Sequence, residues 1–197
     1  THSYLFNIDK NAFTNLNLTL GVVYIVRDPR NVLLSAANHN QLTQEQTLEL
    51  MVKSHILGSK NSDNLITYNG TWNSNYNSWK SFKNINKYLL IKYEDLIGDK
   101  ENTFKKILNF VHKLHGSNFV LNEKKFKNII ETTDFQKMQK LEEQSGFAES
   151  MVNKKTGKKV KFFNLGSENK WEKFLNKDLQ KKIEKNFKDE MIELNYL

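Results

Sequence analysis

A short apolar run near the start of the chain ends at a turn that contains the only proline, Pro29. The run Val22–Val26 is rich in β-branched residues, which favours a buried strand. Asp28 can cap a following helix, and Pro29 suits its first position because the N–H that proline lacks is not needed there. The sequence therefore predicts a strand that leads directly into a helix from Pro29 to about Asn40.

The only two arginines of the chain, Arg27 and Arg30, flank this proline. A guanidinium group is planar and forked, which suits a bidentate grip on phosphate. The backbone N–H groups at the start of the predicted helix would face the same point. Ser35, further along the helix, adds a hydroxyl donor if the chain folds back. These residues predict an anion site, and an ordinary turn with solvated arginines is the alternative.

Strand-like and helix-like segments alternate along the remainder of the chain. Tyr88–Lys92 predicts a second buried strand, followed by a turn at 93–96. Helices are predicted at 43–57, 76–83, 101–114, 123–131, 134–143 and 177–194, with loops at 58–76 and 145–161. This order predicts the α/β class, a parallel sheet with flanking helices, whose ligands bind at the carboxyl ends of the strands. Arg27 and Tyr93 both hold that position.

The charge of the chain raises the question of a polyanionic partner. Its 30 basic residues exceed its 22 acidic ones and give a formal net charge of +8. The lysines are spread along the chain, and only 154–161 is a dense cluster, of the kind that usually forms a solvated loop. We therefore expect a basic field that attracts a small, multiply charged anion, and no nucleic-acid partner.

Composition and hydropathy limit the remaining classes. The absence of cysteine excludes disulfides and thiolate metal sites, and the scattered histidines indicate no metal site. No run is apolar enough to span a bilayer, and the first residues do not resemble a signal peptide. We expect a single cytoplasmic domain, residues 1–197, with no transmembrane segment.

The stretch YIVRDPRNV at 24–32, with Ser35, resembles a segment of the sulfotransferases that use 3′-phosphoadenosine 5′-phosphosulfate (PAPS). In that family the arginine and a serine eight positions later contact the 3′-phosphate, so the resemblance assigns these contacts to Arg27 and Ser35. Residues 36–39 look like the bacterial branch. The motifs at 70–72, 79 and 89–96 repeat the order and spacing of the family.

Further motifs extend the resemblance over nearly the whole chain. The tyrosine of a Tyr-Glu-Asp motif lies by the adenine in that family, which implies an adenine contact for Tyr93. The stretch TTDFQKM at 132–138 resembles a later adenine-side motif and assigns Thr133 and Phe135. The stretch FFNLG at 162–166 resembles the C-terminal loop that closes over the 3′-phosphate. It adds Phe163, Asn164 and Gly166 to the implied donor-binding residues.

The first residues of the chain resemble the segment that carries the catalytic base. The family has Lys-Thr-His there, so the resemblance assigns the base to His2. Imidazole suits this role because its pKa lies near neutrality and the acceptor must lose a proton as it attacks sulfur. A histidine beside a terminus is also typical of a frayed surface residue.

The sequence departs from the family in two places. No stretch matches the family's phosphosulfate-binding loop, nor G-x-x-x-x-G-K-[ST]. We therefore expect a fragment with a partial P-loop nucleoside-triphosphate-hydrolase-like sulfotransferase fold, inactive alone. Asn164 and Leu165 stand where the family has Arg-Lys, so one cationic contact is in doubt. Lysines that could replace it are Lys158, Lys159 and Lys161.

The resemblance implies transfer of a sulfuryl group from PAPS, without a metal, to a hydroxyl or amine of a small-molecule or glycan acceptor. The alternative is a non-catalytic protein that binds adenosine 3′,5′-bisphosphate or an anionic glycan. A nucleotide kinase of related architecture fits less well because it needs the same missing loop. The loops at 58–76 and 145–161 are expected to shape the acceptor pocket, and the sequence indicates no oligomeric state.

Overall fold

The computed structural model describes residues 3–8, 10–57, 67–118, 120–153 and 156–197. The strands are β1 Asn7–Ile8, β2 Asn11–Ala12, β3 Val22–Val26, β4 His55–Leu57, β5 Thr67–Asn69 and β6 Tyr88–Lys92. The helices are α1 Pro29–Asn40, α2 Gln44–Val52, α3 Trp72–Lys80, α4 Tyr93–Gly98, α5 Lys100–His115, α6 Glu123–Thr132, α7 Phe135–Ser145, α8 Trp171–Phe174, α9 Lys177–Asn186 and α10 Lys188–Glu193. Short 3₁₀ turns occupy Ser81–Ile85 and Gly166–Glu168.

Parallel pairing of β3 with β6 sets the position of the site. Val22 lies opposite Tyr88, and Val26 lies opposite Lys92, so both strands end at the same edge. The chain passes between them through helices, as the alternating pattern predicted. The predicted α/β class with a parallel sheet and flanking helices is confirmed.

The turn after β3 follows the predicted chemistry. Asp28 caps α1, and its carboxylate accepts a hydrogen bond from the Arg30 backbone N–H at 2.9 Å. Pro29 stands at the first helical position. Both the strand and the helix have the predicted bounds, because proline and the cap fix the boundary locally.

The largest apolar cluster joins α1 and α2 to the C-terminal helices. The predicted inward face of the last helical segment is confirmed, with Ile183 and Met191 fully buried. The prediction of one continuous helix over 177–194 is wrong, because Phe187 has φ −122° and ψ 22° and separates α9 from α10. Its ring is buried and packs 5.2 Å from the Trp72 ring, centre to centre.

The segment between α1 and β6 differs most from the predictions. The helix predicted over 43–57 ends at Val52, and β4 then pairs antiparallel with β5, placing His55 opposite Asn69. The helix predicted at 76–83 begins four residues earlier, as α3, inside the predicted loop, and Thr71 caps it by accepting from the Ser74 N–H at 3.1 Å. Cross-strand pairing overrode the helical pattern only at 55–57.

Smaller differences lie near the predicted site. The predicted turn at 93–96 is the short helix α4. The predicted loop at 145–161 contains a bridge between Val152 and Lys159. Both differences add backbone hydrogen bonds that apolar periodicity alone does not reveal.

A cavity of about 1040 Å³ lies beside β3 and is also lined by α1, α2 and α3. Within the described ranges β3 has a strand partner on one edge only. Ile25 is 54% exposed although it lies in the central sheet. Within the described ranges one edge of β3 is therefore open. No helix in the described ranges combines the length and the apolar character needed to cross a membrane.

Candidate functional site

Arg27, Ser35 and Tyr93 meet at the carboxyl edge of the sheet. Arg27 follows β3, and its Nη1 donates a hydrogen bond to Ser35 Oγ at 3.1 Å. Its guanidinium carbon lies 4.3 Å from the centre of the Tyr93 ring, which follows β6. A guanidinium that stacks on a ring keeps the donors at its edge available. The structure therefore brings three predicted site residues into direct contact.

Arg30 does not belong to this group. Its side chain is buried, and it binds both carboxylate oxygens of Asp28, with Nη2 at 2.7 Å from Oδ2. It also donates to Glu184 Oε1 at 2.8 Å and to the backbone oxygen of Tyr196 at 2.7 Å. The prediction that both arginines face one anion is wrong for Arg30, whose donors bind the C-terminal part of the chain.

Glu94 fixes the turn after β3 against the start of α4. Its carboxylate accepts hydrogen bonds from the Asp28 N–H at 3.3 Å and from the Tyr196 hydroxyl at 2.9 Å. Burial, and then the nearby Glu94 carboxylate, raise the pKa of Tyr196 well above its ordinary value, so the phenol remains a donor. These bonds hold Arg27 beside Tyr93. Sequence analysis assigned no role to Glu94, although it lies inside the Tyr-Glu-Asp motif.

Asn169 connects Ser35 to the C-terminal loop, and sequence analysis missed it. Its Nδ2 donates to Ser35 Oγ at 2.7 Å and to the Asn31 backbone oxygen at 3.2 Å. The Trp171 N–H donates to Asn31 Oδ1 at 2.9 Å, which ties the same loop to α1. The position of Asn169 three residues beyond Gly166, the last residue of the matched loop, was the available signal.

The C-terminal loop brings a second group of predicted residues together on α7. Gly166 has φ +53°, and a Cβ added there would lie 2.7 Å from the Phe135 ring. The Phe135 and Phe163 rings meet edge to face with centres 6.1 Å apart. Gln139 Nε2 donates to the backbone oxygens of Phe163 and Asn164, at 2.9 and 3.2 Å. The loop therefore rests on the first turns of α7.

Glu142 holds the same loop from the other end of α7. Its carboxylate accepts hydrogen bonds from the Phe162 N–H at 2.7 Å, the Phe163 N–H at 2.9 Å and the Ser150 hydroxyl at 2.5 Å. Burial acts to raise the pKa of Glu142, but the hydrogen bonds, from Ser150 above all, outweigh it and lower the pKa. Glu142 is therefore charged wherever the loop is docked near neutral pH.

Two predicted residues do not join these groups. Thr133 is exposed, and its hydroxyl donates to the Ile129 backbone oxygen at 2.7 Å, within α6. Its own backbone oxygen accepts from Lys100 Nζ at 2.8 Å. His2 lies outside the described residues, so its assignment as the base stays a prediction.

Two of the lysines considered as replacements for the missing cations lie near the C-terminal end of α7. Lys161 Nζ forms an ion pair with Glu143 at 2.5 Å. Lys159 Nζ lies 3.1 Å from the position of a Cβ on Gly146, just beyond α7. Glu143 lies about 12 Å along α7 from Phe135, at 1.5 Å per residue, and Gly146 lies beyond the end of that helix. Lys161 is therefore engaged by Glu143, and Asn164 stands where the family has a basic residue.

In the part of the chain that the structure describes, the site has one unpaired donor, on Arg27, that suits an anionic ligand, and one unpaired amide oxygen, on Asn169, that does not. Arg27 Nε and Asn169 Oδ1 are buried and have no hydrogen-bond partner within the described ranges. Such atoms destabilise a protein by about 1–3 kcal/mol each and concentrate at functional sites. No group of acidic, histidine or cysteine side chains within the described ranges could hold a metal ion. The site therefore offers a cation, a hydroxyl and an aromatic face.

Curated proteins match part of the chain. Sulfotransferase 2A6 of Mus musculus is 31% identical over 96 residues, and the 3-alpha-hydroxysteroid sulfotransferase of Cavia porcellus is 29% identical over 96 residues. Each match covers 47% of this chain and 31% of the relative. The chain thus spans well under two thirds of the length of these relatives.

Solved structures share the fold. Mouse sulfotransferase SULT7A1 complexed with PAP has a TM-score of 0.56 at 22% identity, over 87% of this chain and 58% of that one. Retinol dehydratase in complex with androsterone and the inactive cofactor PAP has a TM-score of 0.57 at 19% identity, over 87% and 47%. The predicted sulfotransferase fold is confirmed. Residues 9–195 match the family model described as the sulfotransferase domain, and the chain therefore belongs to the sulfotransferase family.

Proposed function

We propose that this chain is part of a PAPS-dependent sulfotransferase and that its site binds the adenosine 3′,5′-bisphosphate portion of the donor. The observation that carries the proposal is the contact of Arg27 with Ser35 and Tyr93 at the carboxyl edge of β3 and β6. Family membership supports it, because Arg27 and Ser35 stand at the positions that contact the 3′-phosphate in the family.

Each residue has a proposed role. Arg27 and Ser35 bind the 3′-phosphate, and Tyr93 and Phe135 contact the adenine. The loop residues Phe163, Asn164 and Gly166 cover the nucleotide, and Thr133 lies at its edge. The contact of Gly166 with Phe135 supports a loop that closes over the adenine side of the site.

Sulfuryl transfer depends mainly on the positioning of the reacting groups. Transfer of a charged group in line between two oxygens needs alignment and charge stabilisation more than covalent catalysis, by analogy with phosphoryl transfer. Binding the donor through its remote 3′-phosphate supplies alignment without contact at the reacting centre. We propose that His2 takes the acceptor proton, as its place in the family motif suggests. PAPS itself supplies the activated sulfuryl group.

The phosphosulfate end of the donor needs residues that the sequence of this chain does not supply. We propose that further chain provides them and packs beside β3, whose open edge and neighbouring cavity of about 1040 Å³ support this location. We therefore expect the 197 residues alone to have low sulfuryl-transfer activity. Residues 1–197 would then be the larger part of a single domain.

The acceptor is proposed to be a small molecule or glycan with a hydroxyl or amine. Relatives named as hydroxysteroid sulfotransferases make a hydroxysteroid the first acceptor to test. The likeness to the bacterial branch and the cytoplasmic location remain predictions from sequence, and the relatives named above come from Mus musculus and Cavia porcellus.

Calorimetric titration tests the proposal. We expect the protein to bind adenosine 3′,5′-bisphosphate more tightly than 5′-AMP, and Arg27→Ala to abolish that preference. Lys80→Ala is the matched control, because it removes one positive charge from an exposed pair with Glu193, whose atoms lie 2.6 Å apart. Equal binding of both nucleotides by a folded protein would contradict the proposal. Binding without sulfuryl transfer by the whole protein would indicate a non-catalytic binder.

A further inference from the structure

We propose that Asn169 is a positioning residue that holds the Ser35 hydroxyl as a donor toward the bound anion. The inference rests on the proposed function, since the anion is the 3′-phosphate of the donor nucleotide. Asn169 is only 6% exposed and belongs to the loop that covers α1, whereas Ser35 is exposed. The proposal adds a residue that neither the arginine–serine motif nor the matched loop residues include.

The orientation of the Asn169 amide is fixed by its partners. The Asn31 backbone oxygen lies 3.2 Å from Nδ2, and a carbonyl oxygen can only accept a hydrogen bond. The NH₂ group must therefore be the end of the amide that faces α1. The same NH₂ group donates to Ser35 Oγ at 2.7 Å. The buried Oδ1 has no partner within the described ranges that would favour the opposite orientation.

Asn169 and Arg27 together donate hydrogen bonds to both lone pairs of the Ser35 hydroxyl oxygen. A serine hydroxyl has two lone pairs and one proton. Its oxygen accepts from Asn169 Nδ2 at 2.7 Å and from Arg27 Nη1 at 3.1 Å. The proton is then the remaining hydrogen-bonding element of Ser35, and no acceptor within the described ranges receives it.

Asn169 also occupies the acceptor that a helical serine ordinarily uses. Serine in a helix commonly donates to the backbone oxygen four residues earlier, which for Ser35 is that of Asn31. The amide of Asn169 donates to this oxygen instead. The amide of Asn169 thus blocks the internal use of the hydroxyl and, together with Arg27, occupies its two lone pairs. The Ser35 proton faces the surface, where an anion can accept it.

This arrangement matters because the matched loop lacks the family's cations. With Asn164 and Leu165 at those positions, recognition depends more on Arg27 and Ser35. A hydrogen bond from a hydroxyl to an ionised acceptor contributes more than one between neutral groups. Loss of the Ser35 orientation is therefore expected to weaken binding of adenosine 3′,5′-bisphosphate by about 10-fold and binding of 5′-AMP very little.

The test compares the affinities of wild type, N169A, N169D and S35A for the two nucleotides. We expect N169A to lower the ratio of the affinities, bisphosphate over 5′-AMP, by about 10-fold. N169D nearly preserves shape but turns the donor into a charged acceptor, so it should lower the ratio further. A residue that merely fills space would give the opposite order. In an S35A background, N169A should have no additional effect.

Asn176→Ala is the matched control. It removes Oδ1, which accepts from the Leu179 N–H at 2.8 Å and caps α9, so it deletes an asparagine hydrogen bond without touching Ser35 or Asn169. It should lower the unfolding temperature without changing the nucleotide ratio. A wild-type ratio in both N169A and N169D, or additive effects of N169A and S35A, would overturn the inference. If N169A fails to fold, N169D and S35A decide it. A wild type without preference for the 3′-phosphate overturns the proposed function as well.

Discussion

Gly166 lies directly against the ring of Phe135. A Cβ built on Gly166 would stand 2.7 Å from both Cε1 and Cζ of that ring, closer than carbon atoms approach without displacement. The φ of +53° at Gly166 also belongs to the left-handed region, which other residues adopt at a cost. The close approach joins the C-terminal loop to α7, so the loop position and the ring position depend on each other.

Gly166→Ala is expected to displace this loop. Left-handed backbone strain costs about 1–2 kcal/mol of unfolding free energy, and the clash with Phe135 adds to it. Urea unfolding measures the stability, and calorimetry measures the affinity for adenosine 3′,5′-bisphosphate, which should fall. Gly116→Ala is the matched control, since Gly116 has φ +67° with no atom within 4 Å of the added Cβ. Gly116→Ala should lower the unfolding free energy through the left-handed strain but leave the nucleotide affinity unchanged. Equal effects of both variants would contradict the clash.

Glu142→Gln is expected to release the loop from α7. The carboxylate accepts from the N–H groups of Phe162 and Phe163 on different oxygens, and an amide would turn an NH₂ group toward one of them. Hydrogen bonds to a charged group contribute about 1.5–3 kcal/mol each, so stability should fall by about 2 kcal/mol. Glu143→Gln is the control, because its ion pair with Lys161 is exposed and should matter little. Thermal unfolding of the two variants decides the point.

The lowered pKa of Glu142 predicts a pH dependence of loop docking. Because the pKa is lower in the folded state than the ordinary value of 4.5, the stabilisation is fully present above pH 4.5. It is lost as the pH falls from 4.5 through the folded-state pKa. Nucleotide affinity followed from pH 7 to pH 3 should decline below pH 4.5 in wild type as Glu142 is protonated, whereas Glu142→Gln has no carboxyl to titrate and should bind more weakly throughout without this decline. Superimposable profiles would contradict this role.

Sequence reasoning succeeded where the decisive interactions are local. Asp28 and Pro29 fix the start of α1 within a few residues, and the eight-residue spacing places Ser35 beside Arg27. Tyr93 joins them because β3 and β6 are parallel neighbours, which the alternation of strands and helices predicted. The polar edge of the sheet therefore followed from turn chemistry and element order.

Sequence reasoning failed for residues whose hydrogen-bond or strand partner lies far along the chain. Arg30 binds Glu184 and the Tyr196 carbonyl, 154 and 166 residues away, so its structural role was hidden. Asn169 and Ser35 are 134 residues apart, and an uncharged amide gives no signal of its own. Residues 55–57 read as the end of a helix because their strand partner at 67–69 follows only after a long interval.

Tyr93→Ala is expected to weaken nucleotide binding in two ways. It removes the ring that lies 4.3 Å from the Arg27 guanidinium, and it removes an aromatic face proposed to contact the adenine. Such a cation–ring contact contributes about 0.5–2 kcal/mol, so Arg27 should become more mobile. Tyr93→Phe keeps the ring and should retain most of the affinity. Calorimetry with adenosine 3′,5′-bisphosphate compares them, and a Phe variant as weak as the Ala variant would assign the effect to the hydroxyl.

The two arginines are expected to respond oppositely to the same change. Arg30→Lys leaves one ammonium to replace a fork that binds Asp28, Glu184 and the Tyr196 carbonyl at once, and disruption of a buried pair costs about 3 kcal/mol. Arg27→Lys keeps the charge at a less buried position, so the unfolding free energy should change by less than about 1 kcal/mol. It loses the planar donor that contacts Ser35 and is proposed to bind the phosphate, and affinity for the bisphosphate should fall about 10-fold. Urea unfolding and calorimetry on both variants separate stability from binding. If Arg27→Lys were the less stable variant, or Arg30→Lys the weaker binder at full stability, the roles assigned to the two arginines would be reversed.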